Sequence, residues 1–129
     1  MKNLTLFLNT YKYKNSLKIK NFRFKRNKFL ITTIKSLEIL GFLGFCLFHK
    51  NLKNLKVFLS FINNSKRNFT TIVQFSNNFN KKFYDFNELT QLKKDFPTGI
   101  FLFSTSKGIL SDTFCIKNKI GGILLFWIF

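Results

Sequence analysis

Apolar residues recur along this chain in two rhythms, a spacing of three to four that marks helices and a spacing of two that marks half-buried strands. From Leu4 to Lys18 the apolar or aromatic positions are Leu4, Phe7, Leu8, Tyr11 and Leu17, a helical stripe among lysines and asparagines. Phe22 and Phe24 then alternate with Asn21, Arg23 and Lys25, which predicts a short strand. The helical rhythm returns over Lys28 to Leu40, where Leu30, Ile34, Leu37 and Leu40 form the stripe with Phe29 and Thr33 beside them. Asn27 suits the N-cap, because its carboxamide can accept from a free amide of the first turn, and Gly41 suits the stop. Phe42 to Phe48 and Leu55 to Phe61 read as two strands, since Leu55, Val57, Leu59 and Phe61 alternate with Lys56, Phe58 and Ser60. The polar segment His49-Lys50-Asn51-Leu52-Lys53-Asn54 joins them as a hairpin.

The polar, basic stretch Asn63 to Asn68 breaks the pattern and places a boundary between a subdomain of residues 1–67 and one of residues 68–129. Pieces of about 60 residues bury limited surface alone, so the two are expected to share an interface. Beyond the boundary, Thr70 to Ser76 reads as a strand or a short turn, and Asn87 to Lys94 as a short helix. Three apolar runs follow, Ile100 to Phe103, Ile109 to Leu110 and Ile123 to Phe129. The expected fold class is α+β: helix, strand, helix, strand, strand in the first subdomain, and mainly antiparallel β with a short helix in the second.

Charge changes the picture. The chain of 129 residues carries 22 Lys and Arg against 5 Asp and Glu, a net charge of +17. A field of that sign repels a second copy and attracts a polyanion, either nucleic acid or an anionic membrane surface. The longest uncharged apolar runs, Ile39 to Phe48 and Ile120 to Phe129, are near half the ~20 residues that a spanning helix needs, so no membrane span is expected. The 20 Phe supply core volume, there being no Ala at all, and leave some rings to stack on unpaired bases.

Phe, Lys, Asn and Ile are abundant, Pro occurs once, and Arg occurs only at positions 23, 26 and 67. Codons of the favoured set are rich in A and T, and those of the depleted set in G and C. The bias points to a mitochondrial gene product, with a plastid or an A+T-rich bacterium or parasite as alternatives. Met1 to Arg26 is basic and free of acids, as a presequence would be, but its cations are mostly lysine and it runs without a break into the expected fold. The segment is therefore kept in the mature protein.

Catalysis has little to stand on. His49 is the sole histidine and falls in the expected hairpin, without a nucleophile or acid at motif spacing. Among the acids Glu38, Asp85, Glu88, Asp95 and Asp112, only Asp85 and Glu88 are close in sequence, and nothing beside them completes a metal site. Cys46 and Cys115 lie far apart in apolar surroundings and read as small buried hydrophobes. No cofactor and no small-molecule substrate are expected, and an RNA-acting enzyme is the weakest reading.

The remaining chemistry is concentrated in Ser104-Thr105-Ser106-Lys107-Gly108, between two of the apolar runs. Hydroxyls and free amides at such a bend can bond base edges and phosphate oxygens, Lys107 can pair with a phosphate, and Gly108 allows positive φ. Thirteen residues after Gly108 comes Gly121-Gly122, and then the final apolar run. This arrangement resembles the C-terminal end of the universal small-subunit ribosomal protein S8 family, in which an apolar strand runs into Ser-Thr-Ser-Lys-Gly and a Gly-Gly pair precedes a last strand. Lys28 and Gly41 fall where that family carries a lysine and a glycine at the two ends of its second helix, and Asn87-Glu88-Leu89 follows Ser76 at the family's distance. The chain departs from the pattern at Asn77-Asn78-Phe79, where a basic residue and Pro-Gly are usual, and through a short insertion between Leu89 and Gly99. It departs again at Ile123, in place of a glutamate that in the family helps orient the reading loop and the RNA, and at Phe126, in place of a cysteine.

The resemblance implies a structural protein that binds the central domain of small-subunit rRNA early in assembly and lies beside other small-subunit proteins, S5 among them. On that reading Ser104, Thr105 and Ser106 bond a displaced base and its sugar. Lys107, Lys28, Arg26 and the basic first helix neutralise phosphates, while Gly108, Gly121 and Gly122 permit close backbone approach. The runner-up is a cationic accessory subunit of an organellar inner-membrane complex, supported by the Phe-rich content and the lysines. The sheet-like alternation at Leu55 to Phe61 and in the tail argues against it.

Overall fold

The computed structural model describes residues 2–17, 19, 21–25, 27–47, 54–59, 71–77 and 79–129, with backbone alone at 21, 44–47 and 54–59. The fold is α+β, and its chain divides into two compact units, one of Asn3–Phe69 and one of Thr70–Phe129 with Met1–Lys2. The expected boundary between 67 and 68 lies outside the described residues.

In the first unit, α1 (Lys2–Ser16), β1 (Asn21–Lys25), α2 (Lys28–Ile39), β2 (Leu43–Leu47) and β3 (Asn54–Leu59) follow in the expected order. The sheet is antiparallel with order β1-β3-β2, and a bulge between Leu43 and Phe45 shifts the β2–β3 register. Leu4, Phe7, Leu8 and Tyr11 of α1 are buried, as are Leu30, Ile34 and Leu37 of α2. The Phe7 ring lies 6.0 Å from Tyr11 and 5.6 Å, edge-on, from Phe24. The buried Tyr11 hydroxyl donates to the Phe42 carbonyl at 2.7 Å, and desolvation pushes that phenol's pKa well above its ordinary value.

Leu17, expected in the helical stripe, is instead 53% exposed: α1 ends at Ser16, and Leu17 lies just past the helix, on its last turn. Asn27 caps α2 as its sequence suggests, its side chain accepting from the Phe29 amide at 2.9 Å. At the other end the amides of Gly41 and Phe42 donate to the carbonyls of Glu38 and Leu37, the paired bonds that close a helix C-terminus. The hairpin segment His49 to Lys53 lies outside the described residues.

The second unit comprises β4 (Ile72–Gln74), β5 (Lys82–Tyr84), α3 (Phe86–Asp95), β6 (Ile100–Thr105), β7 (Gly108–Ser111), α4 (Asp112–Lys117) and β8 (Gly122–Ile128). All pairings are antiparallel: β8 takes both β4 and β5 along one side and β6 along the other, and β6 pairs onward with β7. Leu89 of α3 and Cys115 of α4 pack with Phe101, Phe103 and Leu124, so both helices cover one face of this sheet. α3 begins one residue earlier than the periodicity predicts. Asp85 accepts from the Glu88 amide at 2.8 Å while Glu88 accepts from the Asp85 amide at 3.0 Å, a reciprocal cap that satisfies two otherwise unpaired donors. α4 has no counterpart in the sequence reading, because six residues are too few to show a helical period. Among the described residues, no helix is long and apolar enough to cross a membrane.

Candidate nucleic-acid interface

The Ser104–Gly108 segment is the tip of the β6–β7 hairpin. Thr105 pairs with Gly108 across the ladder, so Ser106 and Lys107 form the turn, and Gly108 takes φ +109° to return the chain into β7. A Cβ at Gly108 would meet nothing within 4 Å, so glycine is needed there for conformation rather than for space. The Thr105 hydroxyl donates to the Gly108 carbonyl at 2.8 Å and accepts from the Lys107 amide at 3.2 Å. It therefore braces the turn and retains one acceptor position for an outside donor. Ser106 and Lys107 are exposed and Ser104 is half-buried.

Gly121 and Gly122 serve space. A Cβ on Gly122 would lie 2.6 Å from the Ser104 carbonyl oxygen and 2.9 Å from Thr105 Cγ2, while one on Gly121 would lie 2.7 Å from the Tyr84 carbonyl oxygen. The pair thus lets the start of β8 press against the β6–β7 hairpin on one side and the entry to α3 on the other. The close backbone approach expected of the pair is made here to Tyr84, Asp85 and Ser104.

Two polar groups hold this arrangement. Ser76 is fully buried; its hydroxyl donates to the Leu124 carbonyl and accepts from the Lys82 amide at 3.0 Å, tying the end of β4 to β8 and β5. Asp112, 1% exposed, pairs with Lys93 Nζ at 2.8 Å and accepts from the Phe101 and Thr113 amides. Lys93 also donates to the Gly99 carbonyl at 2.9 Å, so one ion pair joins α3, α4 and the start of β6. Cys115 lies free in the core, where burial, helped by the Asp112 charge, pushes its thiol up to about 11. It is a neutral packing group at physiological pH, as the sequence suggests. Among the described residues no group of His, Cys, Asp or Glu could hold a metal ion.

Ser104, Thr105, Ser106, Lys107, Gly108, Gly121 and Gly122 are therefore brought together. Lys28, exposed in the first turn of α2, belongs to the other unit, and Arg26 lies outside the described residues. Ser76 and Asp112 were not anticipated as supports, since each acts through partners distant in sequence. The Asp85-x-x-Glu88 spacing was a legible cap signal.

The chain has no match among curated proteins. The family model for ribosomal protein S8 matches residues 4–129, nearly the whole chain, and takes in both the hairpin and the glycine pair. The chain belongs to the ribosomal protein S8 family, structural rather than enzymatic proteins that bind rRNA in the small ribosomal subunit.

Proposed function

We propose that this chain binds the central domain of small-subunit rRNA in a mitochondrial ribosome and supports assembly of that subunit, reading the RNA with the Ser104–Gly108 hairpin. The observation that carries the reading is the braced two-residue turn, which holds the Ser106 hydroxyl and Lys107 outward at the exit of a strand that Gly122 pins in place. Ser104, Thr105 and Ser106 bond an unstacked base and its sugar in an irregular helix, where base edges become accessible. Lys107, Lys28 and Arg26 neutralise phosphates and set register. Residues 1–67 act as the basic anchoring part and residues 68–129 as the reading part. S5 is the expected protein neighbour, and the A+T-biased composition supports a mitochondrial setting, with a plastid as the alternative.

Crosslinking and sequencing of RNA bound to the protein in purified organelles tests this. Crosslinks from Ser104 to Gly108 concentrated in one irregular helix of the central domain are the expected result. Absence of rRNA, with co-purification in an inner-membrane complex, would overturn it in favour of an accessory membrane role.

A further inference from the structure

The ladder of the second sheet places Phe83 opposite Ile123, and Ile123 opposite Ser104. Directly opposed residues of antiparallel strands project to the same face. That face is the one away from the α3–α4 core, because the neighbouring residues Tyr84 and Phe103 meet edge-on at 6.3 Å on the core side. Phe83 is 66% exposed and Ile123 half-buried, so an apolar strip runs from the reading hairpin to the sheet edge. Two strand spacings make the strip about 10 Å wide. Exposed Lys107 stands near one end, at the hairpin tip, and exposed Lys81 near the other, just before β5.

We propose that Phe83 and Ile123 form a platform on which a second unstacked rRNA base lies, beside the nucleotide held by Ser104 and Ser106. The inference rests on the rRNA reading proposed above and extends it to a neighbouring nucleotide. A ring and an aliphatic side chain offer a base face what water cannot, and stacking needs no hydrogen-bond readout, so this subsite tolerates any base. Flanking lysines suit the phosphates on either side of such a base, whereas an apolar protein partner would meet two unneutralised cations.

The test measures binding of the full chain to a transcript of the small-subunit rRNA central domain at several salt concentrations. Phe83→Ala should weaken binding roughly tenfold, the worth of one base–aromatic stack, with the salt slope unchanged. Phe83→Tyr should bind as the unaltered chain does, and Phe83→Leu should lose most of what Phe83→Ala loses. Circular dichroism should show each variant folded, since the side chain is largely exposed. Full affinity in Phe83→Ala, with binding weakened in a Ser104→Ala, Ser106→Ala variant, would overturn the platform and leave the rRNA reading standing. Full affinity in Phe83→Leu would replace stacking by simple apolar contact and overturn it equally. Failure of the unaltered chain to bind the transcript specifically would remove both.

Discussion

Fifteen of the 22 basic residues and one of the five acids fall in residues 1–69, whereas residues 70–129 hold seven basic residues and four acids. Among the described residues of the unit with most of the charge, the Ser16, Thr32, Thr33 and Ser36 hydroxyls bond back to carbonyls of their own helices. The unit with the braced turn is nearly balanced in charge. Their interiors differ in the same sense. The first unit is closed by apolar stripes and the Tyr11–Phe42 bond. The second adds a buried ion pair, a buried serine bonded to two strands, and two glycines at backbone contacts. On the proposed function, the contrast teaches that attraction and discrimination need different hardware. Charge acts over about 10 Å and tolerates imprecise placement, while a hydrogen-bonded reading loop must be held to a fraction of an ångström.

The strongest way to break the contrast is to remove the buried support. Asp112→Ala leaves Lys93 without its partner and the Phe101 and Thr113 amides without their acceptor; it should cost about 3 kcal/mol in urea unfolding. A cost below about 1 kcal/mol would show that the second unit does not depend on this pair. Next in size is charge. Replacing exposed Lys12, Lys25 and Lys28 by glutamine should remove about three phosphate contacts and reduce the affinity lost between 50 and 200 mM salt by roughly fortyfold, with sequence preference kept. Loss of preference without a change in slope would reverse the assigned roles.

Smaller is the reading effect. Ser104→Ala with Ser106→Ala should lower the ratio of cognate to non-cognate RNA binding about tenfold, leaving stability and salt slope alone. Thr105→Ala should lower both that ratio and stability, because that hydroxyl braces the turn as well as facing the RNA on the proposed reading. The smallest effect concerns pH. The Cys115 thiol is raised to about 11 in the folded chain, so its burial stabilises fully below its unfolded pKa and the benefit is lost as pH rises from about 9 to about 11. Unfolding followed across that range in the chain and in Cys115→Val should show a steeper decline with cysteine present.

How much was legible varies with the range of the interactions. The helix over Lys28 to Ile39, with its Asn27 cap and Gly41 stop, was readable because periodicity and caps are local. So were the alternating strand at Asn21 to Lys25 and the sheet character of the final apolar run. The candidate site was legible in the identity of Ser104 to Gly108 and of the glycine pair, but their division of labour was not. Thr105 could not be told from its serine neighbours, and α4 was too short to announce itself.

By itself the sequence determined the charge, the α+β class and the order of elements in the first unit, since each follows from side-chain chemistry and near-neighbour spacing. Only the tertiary structure decided that Gly122 presses on Ser104, that Asp112 binds Lys93, and that Phe83, Ile123 and Ser104 stand in one row. Those facts depend on strand register and bulge position. The β6–β8 register shifts at the bulge between Leu102 and Phe103, and a one-residue slip there would move every side chain to the opposite face.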